Sequence, residues 1–200
     1  MRLKDAIDTA VTILNDDGVT YARSDLLRYA NDALDAMLLL APHLFYEIGD
    51  LKCIPGETVQ VVPFADAHAL VSVLRIKGGN ALNMFDKATM DMYHPGWHLD
   101  PAGPARGWCP DASENSMRFY IWPKAPADQI LEVVYVRVPK EYSETEEIGL
   151  PATYAGAIID FIVASAESRD DEHVNSGRAT MFYNKFLAYF KKNEPVQPLK

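Results

Sequence analysis

The hydrophobic period of this chain changes twice, from helical spacing to two-residue alternation near Phe45 and back again past Pro139, and this limits the folds open to it. Leu3, Ile7, Ala10, Val11 and Leu14 lie three and four residues apart, which predicts a helix from Leu3 to Asn15 with one apolar face. The sequence NDDG stops it, with Gly18 suited to the left-handed backbone of a helix end. Ser24 is the expected N-cap of a second helix, Asp25 meets the positive end of its dipole, and Pro42 ends it by withholding an amide proton. Leu27, Ala30, Leu34, Met37 and Ala41 form the main stripe of that helix. Its last turn, Met37 to Ala41, has no polar side, so its apolar surface exceeds what one partner helix covers.

In the middle segment, Thr58–Val62, Leu70–Lys77, Met117–Trp122 and Ile130–Val138 read as strands, rich in Val, Ile, Tyr and Phe between turn residues. PGE at 55–57, KGGNAL at 77–82 and APADQ at 125–129 read as hairpin connections. The second half of the last strand is apolar on both faces, which predicts a buried strand and not an edge. Between the hairpins, Asp86–Met92 is a candidate short helix, followed by a Pro/Gly-rich loop to Pro110.

Four glutamates between residues 141 and 147 read as an exposed acidic linker, and Pro151 suits a first helical turn. Tyr154 to Ala166 is apolar almost all round, which predicts a central helix. A final helix from about Val174 to Lys192 places Phe182, Phe186 and Phe190 at successive turns, with Lys191 and Lys192 at its negative end. Helices this far apart share one core only if the segment between them leaves and returns at nearby points. The expected fold class is therefore α+β: a four-helix bundle, two helices N-terminal and two C-terminal, with an inserted, mostly antiparallel β module. The expected boundaries are 1–44 and 148–193 for the bundle, 45–147 for the β module, and 194–200 for an extended tail.

Hydrophobic residues at 48% and charged residues at 24% describe a folded chain. A net charge of -9 argues against general attraction to phosphate backbones, which is driven by clustered Lys and Arg. The apolar runs fall short of the roughly 20 residues of a membrane span, and Asp5 and Asp8 interrupt the N-terminal run, which argues against a secretory signal. Cys53 and Cys109 show no pairing pattern, which fits synthesis in a reducing cytoplasm.

The chemistry-bearing residues form no catalytic pattern. The histidines at 43, 68, 94, 98 and 173 are scattered, and Pro95 and Gly96 keep His94 and His98 from acting as a helical ligand pair. Asp91, Asp100 and Cys109 lie near that pair, but solvated loop residues are the commoner reading of such a set. No nucleophile elbow, Walker loop or dinucleotide fingerprint occurs. Trp97, Trp108 and Trp122 read as core or interface residues, since no interleaved cations accompany them. The expectation is no enzyme, no catalytic residue, no cofactor and no bound metal.

Four stretches, ILNDDGVTYARSDLLRYANDALDAMLLLAP, GETVQVVPFADAHALVSVLRI, FYIWPKAPADQILEVVYVRVP and LPATYAGAIIDFIVASAESRDDEHVNSGRATMFYNKFLAYF, together resemble the head-to-tail adaptor (connector) proteins of tailed bacteriophages, relatives of the tail tubular A proteins. The resemblance covers about Leu3 to Phe190 and lies in the order and spacing of the segments. It implies a ring, usually of twelve copies, docked beneath the portal protein and above tail or nozzle proteins. In such a ring DNA passes through the centre without specific binding, and no membrane is involved. The implied location is the head-tail junction of the virion. The site residues expected for subunit or portal contact are Leu38, Leu39, Leu40 and Phe45, with Pro195, Val196 and Leu199 of the tail. Two other readings stay open from sequence: a tail nozzle or tail-completion protein, and a metal-binding module around His94, His98 and Cys109.

Overall fold

The computed structural model describes residues 1–16, 20–111, 117–169 and 176–191. Gly18, His173, Lys192, Pro195, Val196 and Leu199, each singled out above, lie outside the described residues. The fold is α+β, with five α-helices and two largely antiparallel sheets among the described residues. The chain divides into two compact units, Met1–Leu44 with Pro139–Lys200, and Phe45–Val138.

The first unit is helical. Helix α1 spans Leu3–Leu14 and buries Leu3, Ala6, Ile7, Ala10 and Leu14. Asn15, at φ 53°, supplies the left-handed residue that ends it. Asn tolerates that conformation because its short amide side chain bonds locally. Helix α2 spans Arg23–Leu40 and caps on Ala22 instead of Ser24, with the Asp25 N–H donating to the Ala22 carbonyl at 2.9 Å. Arg23 thereby becomes the first helical residue and reaches Asp8 at 2.7 Å and Glu144 at 2.8 Å.

Helix α4 spans Ala155–Glu167 and α5 spans Ser176–Lys191, while α3, Lys87–Tyr93, belongs to the second unit. Helix α4 packs on α1, α2 and α5, which accounts for its lack of a polar face. Aromatic rings carry the α4–α5 seam: Phe186 is fully buried, with Phe161 at 5.0 Å and Phe190 at 5.2 Å.

The acidic segment after Pro139 lies with the helical unit, not with the β module that the 45–147 expectation gave it. Long-range partners hold it there. The Asn31 amide donates to the Tyr142 carbonyl at 3.1 Å and accepts from the Tyr142 N–H at 2.8 Å. Glu144 takes both its carboxylate oxygens to the Arg23 guanidinium at 2.9 Å, and Lys140 reaches Glu146 at 2.6 Å. Lys140 and the Ser143 N–H push the Glu146 carboxyl down to about 2. The acidic segment, exposed at 141, 143, 145 and 147, is thus also tied down as a strap along the helices.

The second unit holds seven strands among the described residues: β1 (Tyr46–Lys52), β2 (Val59–Val61), β3 (Ala67–Ile76), β4 (Asn83–Met84), β5 (Gly107–Pro110), β6 (Arg118–Trp122) and β7 (Ile130–Arg137). One sheet has the order β1-β7-β3, antiparallel throughout, with β7 central as its two-sided apolar pattern requires. The other has the order β2-β6-β5-β4, in which β4 and β5 pair in parallel. Leu51, Val73, Leu131 and Val133 pack into one core with Trp108, Phe119 and Ile121. Complete burial of side chains such as Phe119 and Ile121 contributes roughly 1.5–3 kcal/mol each. Buried Gln60 bonds both the N–H and the carbonyl of Ile54, at 2.7 and 3.2 Å, and so fixes the turn around Gly56.

Candidate functional site

Surface apolar residues are the feature of this chain that calls for a function, because scattered exposed leucines are ordinary but clustered ones mark contacts. At the end of α2 the helix rotation separates three consecutive leucines. Leu38 is 6% exposed and belongs to the helical core, Leu39 is 74% exposed and Leu40 44%. Leu38 is therefore removed from the expected contact residues, since its side chain is already covered by its own unit. Leu39 and Leu40 remain as an open apolar tip, and Phe45, in the turn Pro42–Phe45, is half-buried. Asp35, four residues before Leu39, has its carboxyl pushed up by burial first and by Asp32 and Glu141 next.

A second feature of the same unit is a groove of about 330 Å³ between α4 and α5. Phe161, Ala164, Ser165 and Ser168 form one wall, and Ala179, Thr180 and Tyr183 the other. Tyr183 is exposed, and its ring lies 6.5 Å from that of Phe161. The aromatic stripe of α5 was legible as core from sequence; that it opens a groove beside Tyr183 follows only from the pairing with α4.

In the second unit, Met84, Met92, Tyr93 and Leu99 are each at least 69% exposed, a set that the strand pattern gave no reason to single out. They occur in the stretch that was expected to be mostly loop. Carboxylates and tryptophans order this stretch. Asp86 caps α3 by accepting from the Thr89 N–H at 2.8 Å, and Asp91 accepts from the indole of Trp97 at 2.7 Å. Asp100 accepts from the indole of Trp122 at 2.7 Å and faces His94 Nε2 at 2.8 Å. Each partner set holds its carboxyl below the usual range: the Thr89 hydroxyl for Asp86, Lys87 and then Trp97 for Asp91, Trp122 and then His94 for Asp100.

That network bears on the metal reading. His94 is engaged by Asp100, the His98 ring sits edge-on to Trp97 at 6.1 Å, and Cys109 is buried in β5. Among the described residues no three His, Cys, Asp or Glu side chains are grouped as metal ligands. Trp97 and Trp108 are buried, so these indoles serve the β unit's own packing. Among the described residues no helix is long and apolar enough to cross a membrane.

The arrangement offers contact surfaces: an apolar helix tip, an apolar groove, and an exposed set of methionine, tyrosine and leucine side chains. A family model described as SU10 adaptor protein matches residues 1–197 of the chain. No curated protein matches it.

Proposed function

The chain belongs to the SU10 adaptor protein family, phage head-to-tail adaptors, and on that footing we propose that its copies form a dodecameric ring joining the portal protein to the tail. An adaptor of this kind is a virion component, and its role is structural, not enzymatic. DNA passes through the ring during ejection, along a wall to which the acidic chain, at net -9, gives no general affinity for phosphate. The helices α1, α2, α4 and α5 act as a four-helix bundle that carries the β module as an insertion. Leu39, Leu40 and Phe45 meet a neighbouring copy or the portal. The tail residues Pro195, Val196 and Leu199 become ordered on the same partners, as extended segments do when an assembly gives them a surface.

One observation carries this reading beyond the family match. Leu39 and Leu40 stay exposed at the end of a helix whose other large apolar side chains are buried or half-buried. Purified chain mixed with its cognate portal protein and weighed by native mass spectrometry tests it. The expected result is a portal complex carrying twelve copies; a chain that binds tail proteins and ignores the portal overturns it.

A further inference from the structure

The two open surfaces of the helical unit differ in shape and charge, and they complement each other. One is a tip, Leu39 with Leu40, and the other is the groove between α4 and α5. At about 330 Å³ the groove lies near the lower end of pockets that hold small ligands, roughly 300–1,000 Å³, which is room for a pair of aliphatic side chains.

Charge runs the same way. From Tyr29 to Leu40, α2 has Asp32 and Asp35 and no cation, whereas α5 has Arg178, Lys185 and Lys191 and no acid. On the α4 side Glu167 engages Arg178 and Asp160 faces Lys185, so Lys191 is the cation the pairing below uses. Asp32, Asp35 and Leu39 share one face of α2, being spaced by three and seven residues. Lys191 follows Thr180 by eleven residues, close to three full turns, and so lies on the groove side of α5. Along the axes, Leu39 and Asp32 are about 10 Å apart, and Tyr183 and Lys191 about 12 Å, at ~1.5 Å per residue.

Laid antiparallel, the two helices therefore set Leu39 against Tyr183 and Asp32 against Lys191 together. Laid parallel, Asp32 would fall toward Ser176, where the nearest cation, Arg178, is already engaged by Glu167 at 3.0 Å.

We propose that the end of α2 of one copy docks antiparallel into the α4–α5 groove of the next. A contact between two different surfaces of one chain leaves each copy with one tip and one groove to offer, and it is completed by closing into a ring. This rests on the adaptor reading and adds to it the surface that receives Leu39.

The test separates the two ideas. Leu39→Cys and Thr180→Cys are introduced together in the full chain; both positions are exposed, while Cys53 and Cys109 are buried. Phage particles containing this variant are oxidised and run on a non-reducing gel. A ladder of dimers, trimers and larger species is expected from the double variant and from neither single one. Normal incorporation without a ladder overturns the groove contact and leaves the adaptor reading standing. Absence of the wild-type chain from particles overturns the adaptor reading and the contact with it. Should the double cysteine variant fail to enter particles, charge exchange decides: Asp32→Lys lowers incorporation and Lys191→Asp restores it, and failure to restore overturns the alignment.

Discussion

The Arg178 guanidinium of α5 stands 3.0 Å from the Glu167 carboxylate at the end of α4, and the Glu167 side chain is only 7% exposed. Arg178 also donates to the Ile13 carbonyl of α1, so one cation ties three helices. Removing one partner of a buried ion pair leaves a desolvated charge and costs roughly 3–5 kcal/mol. Arg178 is itself a third exposed, which places this pair near the lower figure. Urea unfolding of Arg178→Met is expected to show a loss of about 3 kcal/mol. The double variant Arg178→Met with Glu167→Met recovers most of it; a double variant as weak as the single one would show that the carboxylate is not what Arg178 holds.

A Cβ on Gly49 of β1 would come within 2.6 and 2.7 Å of two ring carbons of Phe64 and 3.1 Å of Tyr135. The Phe64 and Tyr135 rings lie 4.7 Å apart, so Phe64 has little room to retreat. Replacing glycine by alanine in a compatible strand stabilises by roughly 0.4–1 kcal/mol through the unfolded chain. Overpacking costs roughly 1–3 kcal/mol and outweighs that gain. Gly49→Ala is therefore expected to lower the thermal midpoint, and a raised midpoint would mean that Phe64 does not fill this place.

These two sites show what the sequence alone can and cannot reveal. The faces of α1 and α4 were readable because Leu3, Ile7 and Leu14, or Ile158 and Ile162, repeat at helical spacing and are buried where that spacing puts them. β1 was not readable, since the face that buries Leu51 otherwise carries half-buried Gly49 and exposed Glu47, and Gly49 is small only because Phe64 occupies its space. β5 is four residues with a glycine and a proline, and its pairing with β4 and β6 makes it a strand. Glu144 looked solvated because its partner Arg23 is 121 residues away. The excess apolar surface at Met37–Ala41 was legible, but which leucines face outward depends on how α2 is rotated against α4.

Burial pushes the Cys109 thiol from 9.0 up to about 11, and burial also raises Cys53, partly offset by the hydrogen bond from Gln129. The thiolate is the reactive form, so neither cysteine is expected to react with a disulfide reagent in folded protein at pH 8. Both are expected to react once the chain is unfolded. The sign for stability follows from the same shift. Cys109 contributes equally to both states below its unfolded value, and between about 9 and about 11 the unfolded chain loses the proton first, so stability falls as pH rises through that window. Cys109→Ala removes this part of the alkaline decline. Rapid labelling of native protein at pH 8 would contradict the burial.

Leu38 and Leu39 are neighbours in sequence with opposite environments, at 6% and 74% exposure, and this contrast separates folding from assembly. Leu38→Ala empties part of the helical core and is expected to cost roughly 2–5 kcal/mol. Leu39→Ala changes only surface and should stay within about 0.5 kcal/mol of wild type. Leu39→Asp is accordingly the informative substitution for assembly: helix content by circular dichroism and the urea midpoint stay near wild type, while incorporation into particles drops sharply. Leu38→Asp loses both together, because a charge placed in the core unfolds the unit before any neighbour is met. Full incorporation of Leu39→Asp would mean that the α2 tip touches nothing in the assembled particle, and the contact would have to be sought at Met84, Met92, Tyr93 and Leu99 instead.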